Sequence, residues 1–293
     1  MMRLRSNVMA VLALCRLSNL PTVVSNVLVG VAIGAGIDNE LATNTIVVLA
    51  VAMCLLYAGG MALNDVLDAA YDAIHANHRP IPSGRISRRS ALVVTIVCLA
   101  GGVGLTSLAS PRAAAGAAVL VACIIVYNRW HKVTAIAAIA MGLCRGLIYV
   151  TAAVAVAWPP GPIEVAVPAV GLALYIILLT VIARSEHDDT PSPARWLVIW
   201  MIVAGVLTLV VPWRGMGAET AVFMCMFIGW VIWASVAAYA TPPRIGASVL
   251  GWLAGISLLD AMLLSSWGQT EMASLAGLCF LCTLVLHRFI LGT

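Results

Sequence analysis

The chain has 293 residues, 62% of them hydrophobic and only 10% charged, with a mean hydropathy of +1.05. Soluble domains sit near roughly 45–50% apolar and about 25% charged, so an ordinary water-soluble domain is excluded. The net charge of +4 follows from Lys and Arg gathered in alternate inter-span segments, which reads as membrane topology and not as nucleic-acid binding.

In chain order, the basic start from Met1 to Arg5 leads into an apolar run with no small-residue cleavage site, so it reads as retained and not as a removed signal peptide. Candidate spans follow at Leu17–Gly36, Leu41–Ala69, Ser90–Ala109, Arg112–Tyr127, Val133–Ala157, Ile163–Ile182, Leu197–Pro212, Ala221–Ala240, Ile245–Ser266 and Ala273–Leu291. Most match the ~20 residues that cross hydrocarbon as a helix; Arg112–Tyr127 is short and Ala-rich, with Pro111 placed to start it. The expectation is an all-α, polytopic membrane protein of nine to ten transmembrane helices, forming one domain over residues 1–293.

With ten spans and the N-terminus inside, the cytoplasmic segments hold Arg3, Arg5, Arg16, Arg79, Arg85, Arg88, Arg89, Arg129, Lys132, Arg184, Arg195, Arg244 and Arg288. The outer segments hold only Arg112 and Arg214, and collect Asp38, Glu40, Glu164, Glu219 and Glu271 instead. This asymmetry predicts that both termini face the cytoplasm. The eight cysteines lie scattered among apolar residues; Cys279 and Cys282 form a lone C-x-x-C without a second pair, so buried thiols are expected and neither a disulfide framework nor thiol catalysis.

The informative stretch closes the second span: Asn64-Asp65-Val66-Leu67-Asp68-Ala69-Ala70-Tyr71-Asp72. On a helix Asn64, Asp68 and Asp72 recur at i, i+4 and i+8, a single stripe about 12 Å long. Acids clustered there repel one another and resist desolvation, so they call for cations or a watery cavity. Mg2+ suits them, because it is commonly held by one or two carboxylates together with substrate phosphate oxygens and water. His75, His78 and Arg79 follow, then Pro80-Ile81-Pro82-Ser83-Gly84-Arg85, with two prolines stiffening a loop that carries guanidinium groups suited to phosphate. Arg88 and Arg89, just before the third span, read as positive-inside residues.

N-D-x-x-D-x-x-x-D followed by R-P-I-P-S-G-R resembles the first aspartate-rich motif of the UbiA superfamily of intramembrane prenyltransferases. The resemblance implies a helical fold around a central cavity, two facing aspartate-rich motifs, and Mg2+ bridging them to a prenyl diphosphate. It gives Asn64, Asp68 and Asp72, with Asp65 beside them, to the metal and Arg79 to the diphosphate; Asp68 and Asp72 thereby become catalytic. A second stretch, Tyr127-Asn128-Arg129-Trp130-His131-Lys132-Val133-Thr134, is similar to the family's Y-x-x-x-K-R-x-T with its cations shifted, and makes Lys132 a catalytic diphosphate contact with Arg129 beside it. The second aspartate-rich motif falls on Arg184-Ser185-Glu186-His187-Asp188-Asp189, where Glu186, Asp188 and Asp189 are candidate metal ligands without the regular D-x-x-x-D spacing, and Arg184 is a further candidate for substrate.

Two charges lie within spans. Arg145 faces a cavity or an acid, and Asp260 partners Arg145 or lines the cavity, since unpaired charge at such depth is costly. The expected activity is Mg2+-dependent transfer of an isoprenoid group from a prenyl diphosphate to a small aromatic or lipid-like acceptor, at a site facing the cytoplasm. A terpene cyclase using the same site without an acceptor is the alternative within the superfamily. A secondary transporter is the alternative of another class, disfavoured because the acids gather at a cytoplasmic rim and no inverted repeat stands out.

Overall fold

The computed structural model describes residues 2–36, 43–130, 136–157, 160–184, 195–210, 217–240 and 244–290. Its described elements are helical throughout: α1 (Met2–Leu14), α2 (Leu20–Ala35), α3 (Thr43–His75), α4 (Arg88–Ala109), α5 (Pro111–Trp130), α6 (Ile136–Val156), α7 (Pro162–Arg184), α8 (Arg195–Leu207), α9 (Ala218–Ala238), α10 (Ile245–Ser266) and α11 (Thr270–Phe289). A 3-10 turn, Leu17–Asn19, joins α1 to α2, and another, Thr208–Val210, continues α8.

Local chemistry sets several starts. The Ser87 hydroxyl accepts the Ser90 N–H at 3.0 Å and caps α4. Pro111 opens α5, where its missing N–H costs nothing, and the Ser110 hydroxyl accepts the Ala113 N–H at 3.0 Å. The outward faces of the bundle stay apolar: Val93, Ile96 and Val97 on α4 and Trp233 and Val236 on α9 are more than half exposed, as a lipid solvent permits.

Almost wholly buried, α10 forms the middle of the bundle, with Trp252, Ile256 and Leu259 in the larger apolar cluster. Small residues let its neighbours close up. A Cβ on Gly30 or Gly34 of α2 would fall 2.5 Å from the Tyr149 or Ala153 carbonyl of α6, so these helices touch backbone to backbone. A second cluster lies between α2, α3, α5 and α6 and contains Val27, Leu49, Met53, Ala117, Leu120 and Ile148.

Among the described residues nine helices are long and apolar enough to cross a membrane. The tenth expected span, Leu197–Pro212, differs: α8 has 13 residues, about 20 Å of helix, and tightens into its 3-10 turn at Thr208, whose hydroxyl turns back onto the Gly205 carbonyl. A hydropathy window counts apolar residues and is blind to where the helix stops. The expected short span, by contrast, is a full 20-residue helix, and α1 is an element the sequence reading did not contain. Near the start of α2, Asn19 meets His287 in the last turn of α11 at 2.9 Å, while Thr270 at the other end of α11 meets Glu219 in the first turn of α9 at 2.9 Å.

Candidate active site

With 33 residues, α3 is about 50 Å long, well beyond the ~30 Å hydrocarbon layer, and its second half carries the acids. Asn64, Asp65, Asp68 and Asp72 are all buried, with Asp72 only 3% exposed. A small cluster of Leu14, Ala62, Val66 and Ala91 packs the end of α1 and the start of α4 around them.

Arg79 is brought back over the stripe. Its Nη1 lies 2.8 Å from Asp72 Oδ2 and 3.8 Å from Asp65 Oδ1. The segment behind it is a knot of turns: the Ser83 N–H and hydroxyl both bond to the Arg79 carbonyl, at 3.0 and 2.7 Å, and the Ile86 N–H donates to the Pro80 carbonyl at 3.2 Å. Arg85 closes the knot by donating to the Ser83 hydroxyl at 2.9 Å and to the His78 carbonyl. Gly84 takes φ +72°, a conformation that disfavours side chains. Arg88, read from sequence as a topological charge, also ties this region down by donating to the Val66 carbonyl at 3.1 Å.

Arg16, read from sequence as a topological charge, precedes the 3-10 turn Leu17–Asn19 in the left-handed conformation, φ 45°, uncommon for a side-chain-bearing residue, and its charge bears on Asp65. The available signal was a single cation inside an apolar run, five residues before Pro21.

Among the described residues no three His, Cys, Asp or Glu side chains converge on one point. The donors present are nevertheless hard oxygens, Asn64, Asp68 and Asp72 on one helix face, which suits an ion taking one or two carboxylates and drawing its other ligands from phosphate and water. Lys132, Glu186, Asp188 and Asp189 lie outside the described residues, as does the Arg184 side chain at the end of α7. Arg129 is exposed on the last turn of α5, next to the buried Asn128.

Below the stripe lies a small apolar cavity of about 40 Å3, walled by α3, α5 and α6. Gly60 and Met61 line it one turn before Asn64, and Asn128 donates to the Gly60 carbonyl at 3.4 Å, joining α5 to α3 at its mouth. Arg145 lies deeper. Its Nη1 donates to Asn26 Oδ1 at 3.0 Å and its guanidinium sits over the Tyr57 ring at 5.0 Å, seven residues or roughly 10 Å along α3 from Asn64. The structure thus sets Arg145 apart from the acids of α3. Asn26 passes the contact on to Asp260 Oδ2 at 2.9 Å, and Ser25 (2.5 Å) and Tyr149 also donate to that fully buried carboxylate. Arg145 and Asp260 are therefore partners through an intervening amide.

A profile of the UbiA prenyltransferase family matches residues 23–291. A digeranylgeranylglyceryl phosphate synthase of Methanopyrus kandleri is 36% identical over 94 residues, 32% of this chain and 31% of that protein. A protoheme IX farnesyltransferase of Korarchaeum cryptofilum is 35% identical over 103 residues, 34% of each chain. The aligned segments thus span about a third of the length of these relatives. A UbiA homologue of Archaeoglobus fulgidus, in a structure bound to GPP and Mg2+, superposes with a TM-score of 0.63 at 15% identity, covering 90% of this chain and 99% of that one. A UbiA homologue of Aeropyrum pernix K1 gives 0.56 at 16% identity, covering 92% and 98%. With the profile running from α2 to the end of α11 and the same helical fold in both solved homologues, the chain belongs to the UbiA prenyltransferase family.

Proposed function

We propose that the chain is a Mg2+-dependent intramembrane prenyltransferase that moves an isoprenoid group from a prenyl diphosphate to a small aromatic or lipid-like acceptor. The observation that carries this reading is the buried acidic stripe of α3, capped by Arg79 and one helical turn from a small apolar pocket. Similar proteins support it: digeranylgeranylglyceryl phosphate synthases and a protoheme IX farnesyltransferase among the sequence relatives, and a UbiA homologue of Archaeoglobus fulgidus bound to GPP or DMAPP and Mg2+. We read residues 1–293 as one domain, and place its site on the cytoplasmic side from the Lys and Arg asymmetry.

In this reading Asn64, Asp68 and Asp72, with Asp65 beside them, hold Mg2+, which supplies charge neutralisation of the departing diphosphate. Arg79, whose Nη2 and Nε are not engaged by any described residue, donates to diphosphate oxygens, joined by Lys132 from the connection after α5. Glu186, Asp188 and Asp189 are our further candidates for metal ligands and Arg184 for substrate, on the sequence resemblance alone. The C1–O bond breaks with its electron pair leaving on the diphosphate, the acceptor nucleophile bonds C1, and the acceptor loses a proton. Donors fixed where negative charge grows stabilise that transition state, and the apolar walls keep water from trapping the allylic cation.

The test is purified protein in lipid nanodiscs given a prenyl diphosphate series, with acceptors of aromatic, haem and glycerol-phosphate type. Mg2+-dependent loss of donor with release of diphosphate and formation of a prenylated acceptor is expected. Donor carried across a vesicle membrane unchanged would point to transport, and a cyclic hydrocarbon without acceptor to a cyclase.

A further inference from the structure

Of Asn64, Asp65, Asp68 and Asp72, Asp65 is the one outside the regular stripe. With Asn64 as the origin, Asp68 and Asp72 turn about 40° and 80° round the helix and Asp65 about 100°, toward Ala62 and Val66 at about 160° and 200°. Those two belong to the cluster that packs α3 against Leu14 of α1 and Ala91 of α4. Asp65 therefore stands between the acid face and the face turned to α1 and α4, and the charge of Arg16, which follows α1, bears on it. Among the described residues Asp65, Asp68 and Asp72 do not converge on one point.

Seven residues, about 10 Å of helix, separate Asp65 from Asp72. Both carboxylates nevertheless lean to one nitrogen: Arg79 Nη1 is 2.8 Å from Asp72 Oδ2 and 3.8 Å from Asp65 Oδ1. The two acids are 3% and 6% exposed, so each needs a cation beside it. Asp72 is shared, because the proposed function also gives it to Mg2+, and a carboxylate that serves a metal holds a guanidinium less firmly. Asp65, outside the stripe, has no such second claim. Resting on the donor reading above, we infer that Asp65 stands beside the metal ligands without being one of them: it is a positioning residue that keeps the Arg79 fork aimed at the diphosphate.

The experiment measures equilibrium binding of a non-hydrolysable dimethylallyl thiolodiphosphate to the full chain in nanodiscs, with Mg2+ raised until affinity no longer changes. Asp65→Asn is expected to weaken binding about ten-fold, and further Mg2+ is expected not to restore it. In an Arg79→Ala background the same substitution is expected to change affinity by less than about two-fold, since a residue that acts through Arg79 then has nothing to act on. Asp65→Glu, which keeps the charge but displaces the carboxylate by one methylene, goes through the same cycle and decides alone if Asp65→Asn does not fold; a severalfold loss with Arg79 present and none without it is expected. Asp68→Asn, a change within the stripe, should instead respond to added Mg2+ and add to Arg79→Ala. Affinity recovered at high Mg2+ in Asp65→Asn, or losses that add in the double variants, would make Asp65 a metal ligand and overturn the inference, as would unchanged affinity in both Asp65 variants. No loss in Arg79→Ala would overturn it through Arg79, and no binding to the wild type would bring down the donor reading and the inference together.

Discussion

At Arg79 one nitrogen serves two carboxylates, Asp72 and Asp65, and no other described side chain engages the rest of the guanidinium fork, which the proposed function gives to the diphosphate. A charge-assisted contact to a diphosphate contributes about 1.5–3 kcal/mol, so Arg79→Ala is expected to weaken a non-hydrolysable donor analogue roughly ten- to a hundred-fold and leave acceptor affinity nearly unchanged. Equilibrium binding is the suitable readout, because Michaelis constants mix binding with chemistry. Asp260 obeys a different logic: three neutral donors from Ser25, Asn26 and Tyr149 converge on it, with Arg145 one amide away. Removing the carboxylate orphans buried donors at a cost of about 1–3 kcal/mol each. Asp260→Leu should therefore lower the melting temperature in detergent well below that of Asp260→Asn, which keeps an acceptor. Melting temperatures equal to wild type for both would remove the network from the account. The sequence showed Arg145 and Asp260 as costly charges, but their junction is made by Asn26, a neutral residue that no charge pattern marks. Arg16 was hidden for the opposite reason, since a cation on the cytoplasmic side is already explained by topology.

The loop from Ala76 to Ser87 is the element that converts a sequence motif into a geometry. Its prolines and Gly84 were legible as a turn, but the closing bonds from Ser83 and Arg85 back to Arg79 and His78 were not, because they depend on how the turns stack. Adding a methyl group at Gly84 meets no neighbouring atom, so any effect arises from its backbone conformation. Gly84→Ala is accordingly expected to weaken donor binding severalfold without removing a ligand, and Gly84→Asn, which tolerates left-handed backbone better, to do so less. Equal affinity in Gly84→Ala and wild type would show that Arg79 needs no such support. Helices α4 to α7 follow hydropathy and charge within a few residues, because their apolar runs end at polar punctuation, whereas α3 runs on to His75, past the expected end at Ala69, and carries Asp72 with it. That logic fails at α8, where the apolar run outlasts the helix, and at α1, where apolar character is too modest to count as a span.

For the molecule as a whole, the His287–Asn19 contact puts the last turn of α11 at the same end of the bundle as the start of α2. Both termini are then expected on one side, which the Lys and Arg asymmetry predicts to be the cytoplasmic one. Reporter tags at either end should both be protected outside and accessible inside; a C-terminal tag on the opposite side would mean that α8 turns back instead of completing a pass. The all-helical class, the membrane setting and the acidic stripe follow from periodicity and composition alone, whereas the apolar pocket depends on contacts between α3, α5 and α6 that no local pattern encodes. The central claim is that the buried acids of α3 act on a prenyl diphosphate and do not serve packing. Diphosphate release by Asp68→Ala and Asp72→Ala, compared with wild type in nanodiscs across a Mg2+ titration, tests it most directly. The account predicts that both variants insert and fold but lose turnover at every Mg2+ concentration; wild-type release by Asp68→Ala would contradict it.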